Sequence, residues 1–334
     1  MLSECMNQDV QGFSFGKNWK DFLSTVDEDV ITKAGKDIEE WLGTENIEGK
    51  SIIDIGSGSG LSSLCMYRRG CRRLVSFDYD PHSVEATKIL AERAGSPDNW
   101  EIFEGSILDE ALIDRLGRFD IVHSWGVLHH TGDMWKAIEN AIGLCGPDGL
   151  FFISLYTGGD LYDEHLALKR RFNEADESTK RKMVHTLMQS MGSFYQAHEN
   201  ADSIARNPRG MTQYHDAVDW LGGLPYEVAN VSEVVLFGSN RGLRPLRVFE
   251  SKQRDCSVYL FKNDANQSAS NKATFEWSSV WNDIREERSL ERQFSEDLRR
   301  AFKTVERQRA QMDSLKNNAR RCLGIVRQRL LPQL

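Results

Sequence analysis

Ser51-Ile52-Ile53-Asp54-Ile55-Gly56-Ser57-Gly58-Ser59-Gly60 is the stretch on which the architecture turns. A short β-branched run ends at Gly56, and a helical pattern follows over 61–69. Glycines at a strand-to-helix turn let a ligand approach the backbone, because no Cβ intervenes. Their spacing is acidic-x-G-x-G-x-G. A dinucleotide fingerprint, G-x-G-x-x-G, needs a third glycine where this chain has Leu61. The one Gly-Lys-Ser, Gly49-Lys50-Ser51, lies ahead of the strand with Thr44 where a P-loop needs its first glycine, which excludes a P-loop, and Gly58 stands where a nucleophile elbow needs serine. Asp54, just ahead of the glycines, suits the ammonium group of a zwitterionic ligand and not a pyrophosphate.

Outward from this turn, strand-length apolar runs alternate with helical stretches. Strands are expected at 74–77, 101–103, 121–124 and 150–155. Helices are expected from Pro81, a favoured first-turn residue, at 107–116 and at 134–144. This rhythm implies parallel strands with helices on both faces, and the near-continuous apolar strands suit a sheet buried on both sides. Ahead of it, 1–47 forms a helical cap with helices at 19–23 and 29–42. After Tyr156 the rhythm stops, and 158–215 is a polar, helical insertion. Residues 216–221 lead into the turn Gly222-Gly223-Leu224-Pro225. A helix at 232–240 and strands at 246–249 and 257–261 complete a body spanning 48–262. A linker at 263–278 leads to one long helical pattern, 279–334.

Three further strand ends face the same way as the glycine turn. Asp78, at the second tip, lies 22 residues after Gly56, the interval at which an acidic residue accepts ribose hydroxyls. The third tip carries Glu104-Gly105-Ser106-Ile107, where an adenine would rest. The fourth reads His123-Ser124-Trp125-Gly126-Val127-Leu128-His129-His130. Open α/β sheets bind ligands at such carboxyl ends.

These four segments, in this order and spacing, resemble class I S-adenosylmethionine-dependent methyltransferases over about 51–261. The resemblance implies an α/β, Rossmann-like, seven-stranded and mostly parallel sheet of order 3-2-1-4-5-7-6, with the seventh strand antiparallel. It implies S-adenosylmethionine as cofactor and S-adenosylhomocysteine as product. Asp54, Gly56, Ser57, Gly58 and Gly60 would form the loop for the methionine moiety. Asp78 would accept the ribose, Tyr79 would pack on the adenine, and Ser106 and Ile107 would edge the base. Many members carry Asp at the position of Ser106. Residues 119–132, with Ser124, resemble the motif that touches donor and acceptor. Phe15–Trp19 and Gly210–Ala229 resemble a quinone-methylating subgroup. The acceptor is therefore expected to be a small molecule, methylated on oxygen.

A histidine in the cleft would draw the proton from an acceptor hydroxyl. The candidates are His130, His129 and His215, the last beside Asp216. Trp125, Tyr156 and Tyr226 would line the acceptor pocket. The structural alternatives are a satisfied histidine at a helix start and ordinary aromatic packing. No H-E-x-x-H is present, and no metal site is expected. Two rival readings share the fold: a nicotinamide-dependent oxidoreductase, and a non-catalytic cofactor-binding scaffold.

The chain has 334 residues, 42 Lys/Arg against 50 Asp/Glu, and a formal charge of −8. An acidic total counts against nucleic acid as the default partner. The charge is uneven: residues 299–334 hold ten Lys/Arg and two Asp/Glu, a net of +8 that leaves −16 on residues 1–298. Heptad positions Ile284, Leu298, Val305 and Met312 are apolar while Glu291 between them is not, an imperfect coiled-coil seam. The end of this helix is basic and amphipathic, which suits self-association, docking on a partner, or contact with an anionic membrane surface. No basic n-region and apolar core open the chain, and its six cysteines form no C-x-x-C. A cytoplasmic protein without a disulfide framework is expected.

Overall fold

The computed structural model describes residues 13–196, 207, 209–251 and 256–264. The expected linker beyond Asp264 and the helix at 279–334 lie outside the described residues.

Seven strands form one sheet: β1 (Ser51–Ile55), β2 (Arg73–Asp78), β3 (Trp100–Glu104), β4 (Phe119–Trp125), β5 (Cys145–Tyr156), β6 (Leu243–Phe249) and β7 (Cys256–Asn263). Their order is β3-β2-β1-β4-β5-β7-β6, as the resemblance implied. The first five pair in parallel, and β7 runs antiparallel to both β5 and β6.

Every residue of β1 is buried. Alternate side chains serve opposite layers, as the pleat requires. Ile53, Ile55, Val75 and Phe77 meet the layer of α6 (Met134–Gly143) and α10 (Val231–Ser239). Ile52, Leu74, Ile121 and Phe152 meet the layer of α2 (Glu28–Leu42), α3 (Leu61–Arg68) and α4 (Pro81–Arg93). Full burial of each such side chain stabilises by about 1.5–3 kcal/mol.

Aspartates set several helix starts. Asp27 Oδ1 accepts from Val30 N at 2.9 Å and opens α2. Asp109 Oδ1 accepts from Ala111 N and Leu112 N at 3.0 and 3.2 Å, so α5 is Glu110–Leu116 and not a helix from 107. That correction leaves Ser106 and Ile107 on a loop. The strand expected at 150–155 begins earlier, at Cys145, because Cys145 pairs with Phe119 of β4. The insertion supplies α7 (Tyr162–Glu174) and α8 (Glu177–Gln196). Segment 216–221 belongs to a helix, α9 (Gln213–Gly222), capped by Thr212. The first helix, α1 (Phe15–Phe22), packs on α4 and α9. Among the described residues, no helix is long and apolar enough to cross a membrane.

Candidate functional site

The glycine loop is bent in a way that only glycine tolerates well. Gly56, Gly58 and Gly60 have φ of +71°, +56° and +79°. A Cβ on Gly56 would lie 2.4 Å from Val127 Cγ1, and one on Gly58 would lie 3.1 Å from Trp19 Nε1. The loop thus threads between α1 and the turn after β4. Ser57 Oγ shares a hydrogen bond with Thr87 Oγ1 at 2.9 Å, pinning the loop to α4.

Asp54 does not open onto this loop. It is 2% exposed. Its Oδ2 accepts from Ser63 Oγ at 2.5 Å, and its Oδ1 accepts from His123 Nδ1 at 2.7 Å. Ser63 Oγ also bonds Ser76 Oγ, which accepts from Trp100 Nε1 at 2.9 Å. The period-2 alternation puts Asp54, Ser76 and His123 on one face in register. A carboxylate facing a ligand ammonium is therefore corrected to an internal tie that crosses β1, β2, β3, β4 and α3.

Asp78 stands where a ribose acceptor was expected. Its Oδ2 accepts from Gly58 N and its Oδ1 from Asp80 N, both at 2.9 Å. A carboxylate has about four acceptor positions, so two remain for a diol. Burial pushes its carboxyl up to about 6, opposed by the two backbone donors. Further donors from a ligand would lower it again. Tyr79 beside it is 79% exposed, an uncovered aromatic face at the rim. Asp80 binds α1 in place: its Oδ2 accepts from Ser14 Oγ at 3.0 Å and Gly16 N at 2.9 Å, while its Oδ1 caps α4 at His82 N.

At the third tip, Ser106 Oγ accepts from Leu108 N at 3.1 Å, and Asn140 Nδ2 donates to Ile107 O at 2.8 Å. The loop is shaped, with Ile107 buried. At the fourth tip, Ser124 is buried and donates to Ile55 O at 3.0 Å, so its hydroxyl joins β4 to β1.

The two adjacent histidines are different groups here. His129 is 0% exposed, and its Nδ1 accepts from Tyr156 N at 3.2 Å. Burial, with the charges of His130 and Lys169, holds it neutral. His130 is half-buried, and its Nδ1 donates to Pro225 O at 2.6 Å. Its proton is therefore on Nδ1, leaving Nε2 with a lone pair. Burial first and Lys169 second pull it down to about 3. Phe15 of α1 and Tyr156 of β5 flank it, with ring centroids 5.0 and 5.4 Å away. Gly223 approaches so closely that a Cβ there would meet His130 Cε1 at 2.6 Å.

His215 lies elsewhere. It is buried at the start of α9, Nε2 donating to Asp21 Oδ2 at 3.1 Å and Nδ1 paired with Thr212 Oγ1 at 2.6 Å. The carboxylate it meets is Asp21 of α1, and Asn18 of α1 donates to its carbonyl. It ties α1 to α9. Trp125, Tyr156 and Tyr226 divide likewise. Tyr156 and Tyr226 are both buried with centroids 5.4 Å apart. Trp125 is half-buried under the Arg209 guanidinium.

Sequence reasoning missed two cations. Lys169 of α7 is 0% exposed, donates to Trp220 O, and lies 4.6 and 4.8 Å from the Trp220 and Tyr226 ring centroids. Arg209 lies 3.4 Å from the Trp125 ring centroid and donates to Ser62 Oγ at 2.7 Å. Aromatic residues spaced with α7 and the glycines at 222–223 were the available signal.

A glycine loop, an acidic second-strand tip and a histidine at the fourth tip, on this strand order, define a nucleoside-binding α/β protein of the methyltransferase type. A model of the methyltransferase domain family matches residues 26–201, more than half of the chain, and the chain belongs to that family. A ubiquinone biosynthesis O-methyltransferase of Methylobacterium sp. (strain 4-46) is 32% identical over 111 residues, 33% of this chain and 43% of that protein. A ribosomal protein L11 methyltransferase of Vibrio parahaemolyticus is 35% identical over 74 residues, 22% of this chain and 25% of that protein. The chain thus spans less than half the length of these relatives. Among solved structures, magnesium protoporphyrin IX methyltransferase from Synechocystis PCC 6803 with bound S-adenosylmethionine aligns over 74% of this chain and 90% of that one, with TM-score 0.44 and 11% identity.

Proposed function

We propose that this chain transfers a methyl group from S-adenosylmethionine to an oxygen of a small-molecule acceptor. The observation that carries the reading is Asp78 Oδ2 accepting from Gly58 N at 2.9 Å, which joins the acidic tip to the glycine loop. The residues fit the cofactor: Asp78 has acceptor positions for two hydroxyls, and Tyr79 an open face for a base.

S-adenosylmethionine supplies an electrophilic methyl group that leaves sulfur in one in-line displacement. The chain's task is alignment, and orientation alone contributes roughly 7–11 kcal/mol in favourable cases. Asp78 holds the ribose, Tyr79, Ser106 and Ile107 the base, and the loop from Gly56 to Gly60 the methionine end. Asp54 and His123 fix that loop from beneath. His130 Nε2 takes the proton of an acceptor hydroxyl, and Tyr156, Tyr226 and Trp125 wall the acceptor. A base whose pKa matches the working pH is worth about 10²–10⁴-fold, and a histidine drawn down to about 3 contributes at most the lower end of that range. His129 holds the Tyr156 backbone, and His215 holds α1 against α9.

The domain scheme supports a cap at 1–47, a body at 48–262 and a lid at 158–215 that selects the acceptor. Residues 279–334 serve self-association or partner docking, in a cytoplasmic enzyme. The acceptor class is tested by incubating the full chain with labelled S-adenosylmethionine and a metabolite extract, then searching by mass spectrometry for molecules that gain the label. Labelled O-methyl products support the reading, and labelled amines alone, or label transferred only to proteins, contradict it.

A further inference from the structure

Lys169 occupies a place on α7 where the helical period calls for an apolar residue. The buried face of that helix is His165, Lys169 and Phe172, spaced so that all three turn toward the body. Asn173 Nδ2 donates at 2.9 Å to both Lys169 O and Gly222 O, and Tyr162 OH donates to Tyr226 O at 3.3 Å. This stretch of α7 is therefore fixed to the end of α9 and to the segment that follows it.

The ammonium group sits in a box of rings. Nζ donates to Trp220 O and lies 4.6, 4.8 and 5.3 Å from the ring centroids of Trp220, Tyr226 and Tyr156. Ring faces and a carbonyl oxygen are the electron-rich groups that suit a cation inside a fold. The Tyr156 ring is shared, because the His130 ring lies 5.4 Å from it between centroids. One aromatic ring thus stands between a buried positive charge and the histidine assigned to the acceptor.

A charge so placed acts through space, since little water screens it. It opposes added positive charge and favours negative charge in its neighbourhood. His130 feels the first effect, as Lys169 joins burial in drawing it down to about 3. The second effect falls on an acceptor oxygen at His130 Nε2. A histidine this weakly basic takes a proton readily only from an acidic hydroxyl. Ionisation must then come from the acceptor's own acidity and from the field around it. The other titratable groups about the box are Asp216 and Asp219 of α9, His165, Tyr226 and His129. Burial first and Asp216 second push the Asp219 carboxyl up to about 7, against the pull of Lys169. Near neutral pH it is only partly ionised and offsets part of the ammonium charge. Burial also pushes the Tyr226 phenol up, so that group stays neutral.

We propose that Lys169 determines acceptor selectivity, its charge reaching the reacting oxygen across the Tyr156 ring, so that carboxylic acids, enols and phenols are favoured over aliphatic alcohols. This rests on the methyl-transfer reading above and deepens it by naming the class of oxygen that is methylated. An oxygen lone pair forms the new bond to the methyl carbon, and the carbon–sulfur pair leaves with sulfur. The hydroxyl proton passes to His130 Nε2 and on to water, and a carboxylate has no proton to move. Lys169 touches none of the reacting atoms and is a positioning residue, acting by its field.

The test incubates the full chain, as wild type, Lys169→Met and Lys169→Arg, with labelled S-adenosylmethionine and a metabolite extract. Labelled products are sorted by mass spectrometry according to the parent oxygen. Acidic oxygens should take the label. For the most heavily labelled acceptor, Lys169→Met should lower kcat/KM about tenfold with S-adenosylhomocysteine affinity unchanged. The rising limb of its pH–rate profile, set by ionisation of the acceptor, should move up by about one pH unit, because a lost cation makes a nearby acid weaker. Lys169→Arg should bring the limb back toward the wild-type position. A purely structural role would not move that limb, so an unmoved limb in folded Lys169→Met overturns the proposal. Ethers of aliphatic alcohols as the main wild-type products also overturn it, and they decide the matter if Lys169→Met does not fold. A wild-type chain that labels no oxygen overturns the O-methylation reading itself, whatever Lys169 does.

Discussion

His130 Nδ1 donates to the Pro225 carbonyl oxygen at 2.6 Å, and this one bond fixes which ring nitrogen carries the proton. Nε2 is left as the basic atom at the end of β4. Replacing His130 with Asn keeps a donor for Pro225 O and removes that atom. We expect turnover to fall by up to about 10²-fold with S-adenosylhomocysteine affinity unchanged, measured by steady-state kinetics and calorimetry.

The same histidine makes a pH prediction. Its pKa is drawn down to about 3 by burial and Lys169. It is unprotonated throughout pH 5–8, so no inflection near the ordinary histidine value comes from His130. A rate profile for an acceptor without its own ionisation should show no His130-dependent step there, checked by comparing wild type and His130→Asn.

Asp78 titrates in the opposite sense. Its folded pKa is raised to about 6, from an ordinary value of 3.8, chiefly by burial. Below about 6 the carboxyl is protonated and loses acceptor capacity for a diol. Nucleoside affinity should therefore fall as pH drops from 7 to 5, with proton release on binding near pH 6. For stability without ligand the sign reverses. The folded state holds this proton more tightly than the unfolded chain, so the Asp78 contribution falls as pH rises from about 4 to 6. Asp78→Asn should remove both dependences, read by calorimetry and by urea melts across pH.

Asp80 joins two helix starts through Ser14, Gly16 and His82. Asp80→Ala removes the cap of α4 and the anchor of α1. A loss of about 1–3 kcal/mol is expected from urea unfolding, with Asp80→Asn losing less because one acceptor oxygen survives.

Asp54 and His123 are a buried pair, 2.7 Å apart. Replacing His123 with Phe leaves Asp54 Oδ1 without its donor, with Ser63 still serving Oδ2, and should cost up to about 3–5 kcal/mol. The double variant Asp54→Asn/His123→Phe should be less damaging than His123→Phe alone. A double-mutant cycle in urea measures the coupling.

The glycine turn could be read from 51–60, because β-branched runs and glycine spacing are local signals, whereas the strand order came only with the resemblance of all four segments. Helix starts were readable only where a cap stood out: Asp109 moved the start of α5 from 107 to 110. Partners from distant segments were not readable. Asp54 looks like a ligand contact until Ser63 and His123 close on it. His215 stands beside Asp216 in sequence but meets Asp21 across α1. Lys169 and Arg209 sit in a polar, helical stretch where a lone cation looks like a solvated face. Only tertiary packing puts one behind aromatic rings and the other over Trp125. The adjacent His129 and His130 are equivalent in sequence, and their backbone partners, Tyr156 N and Pro225 O, separate them.

The central claim is that the cleft at the glycine loop holds S-adenosylmethionine, and calorimetry of the full chain with S-adenosylhomocysteine and with NAD tests it most directly. The account predicts saturable one-to-one binding of S-adenosylhomocysteine, lost on Asp78→Ala, and no heat with NAD. Binding of NAD with none of S-adenosylhomocysteine would contradict it.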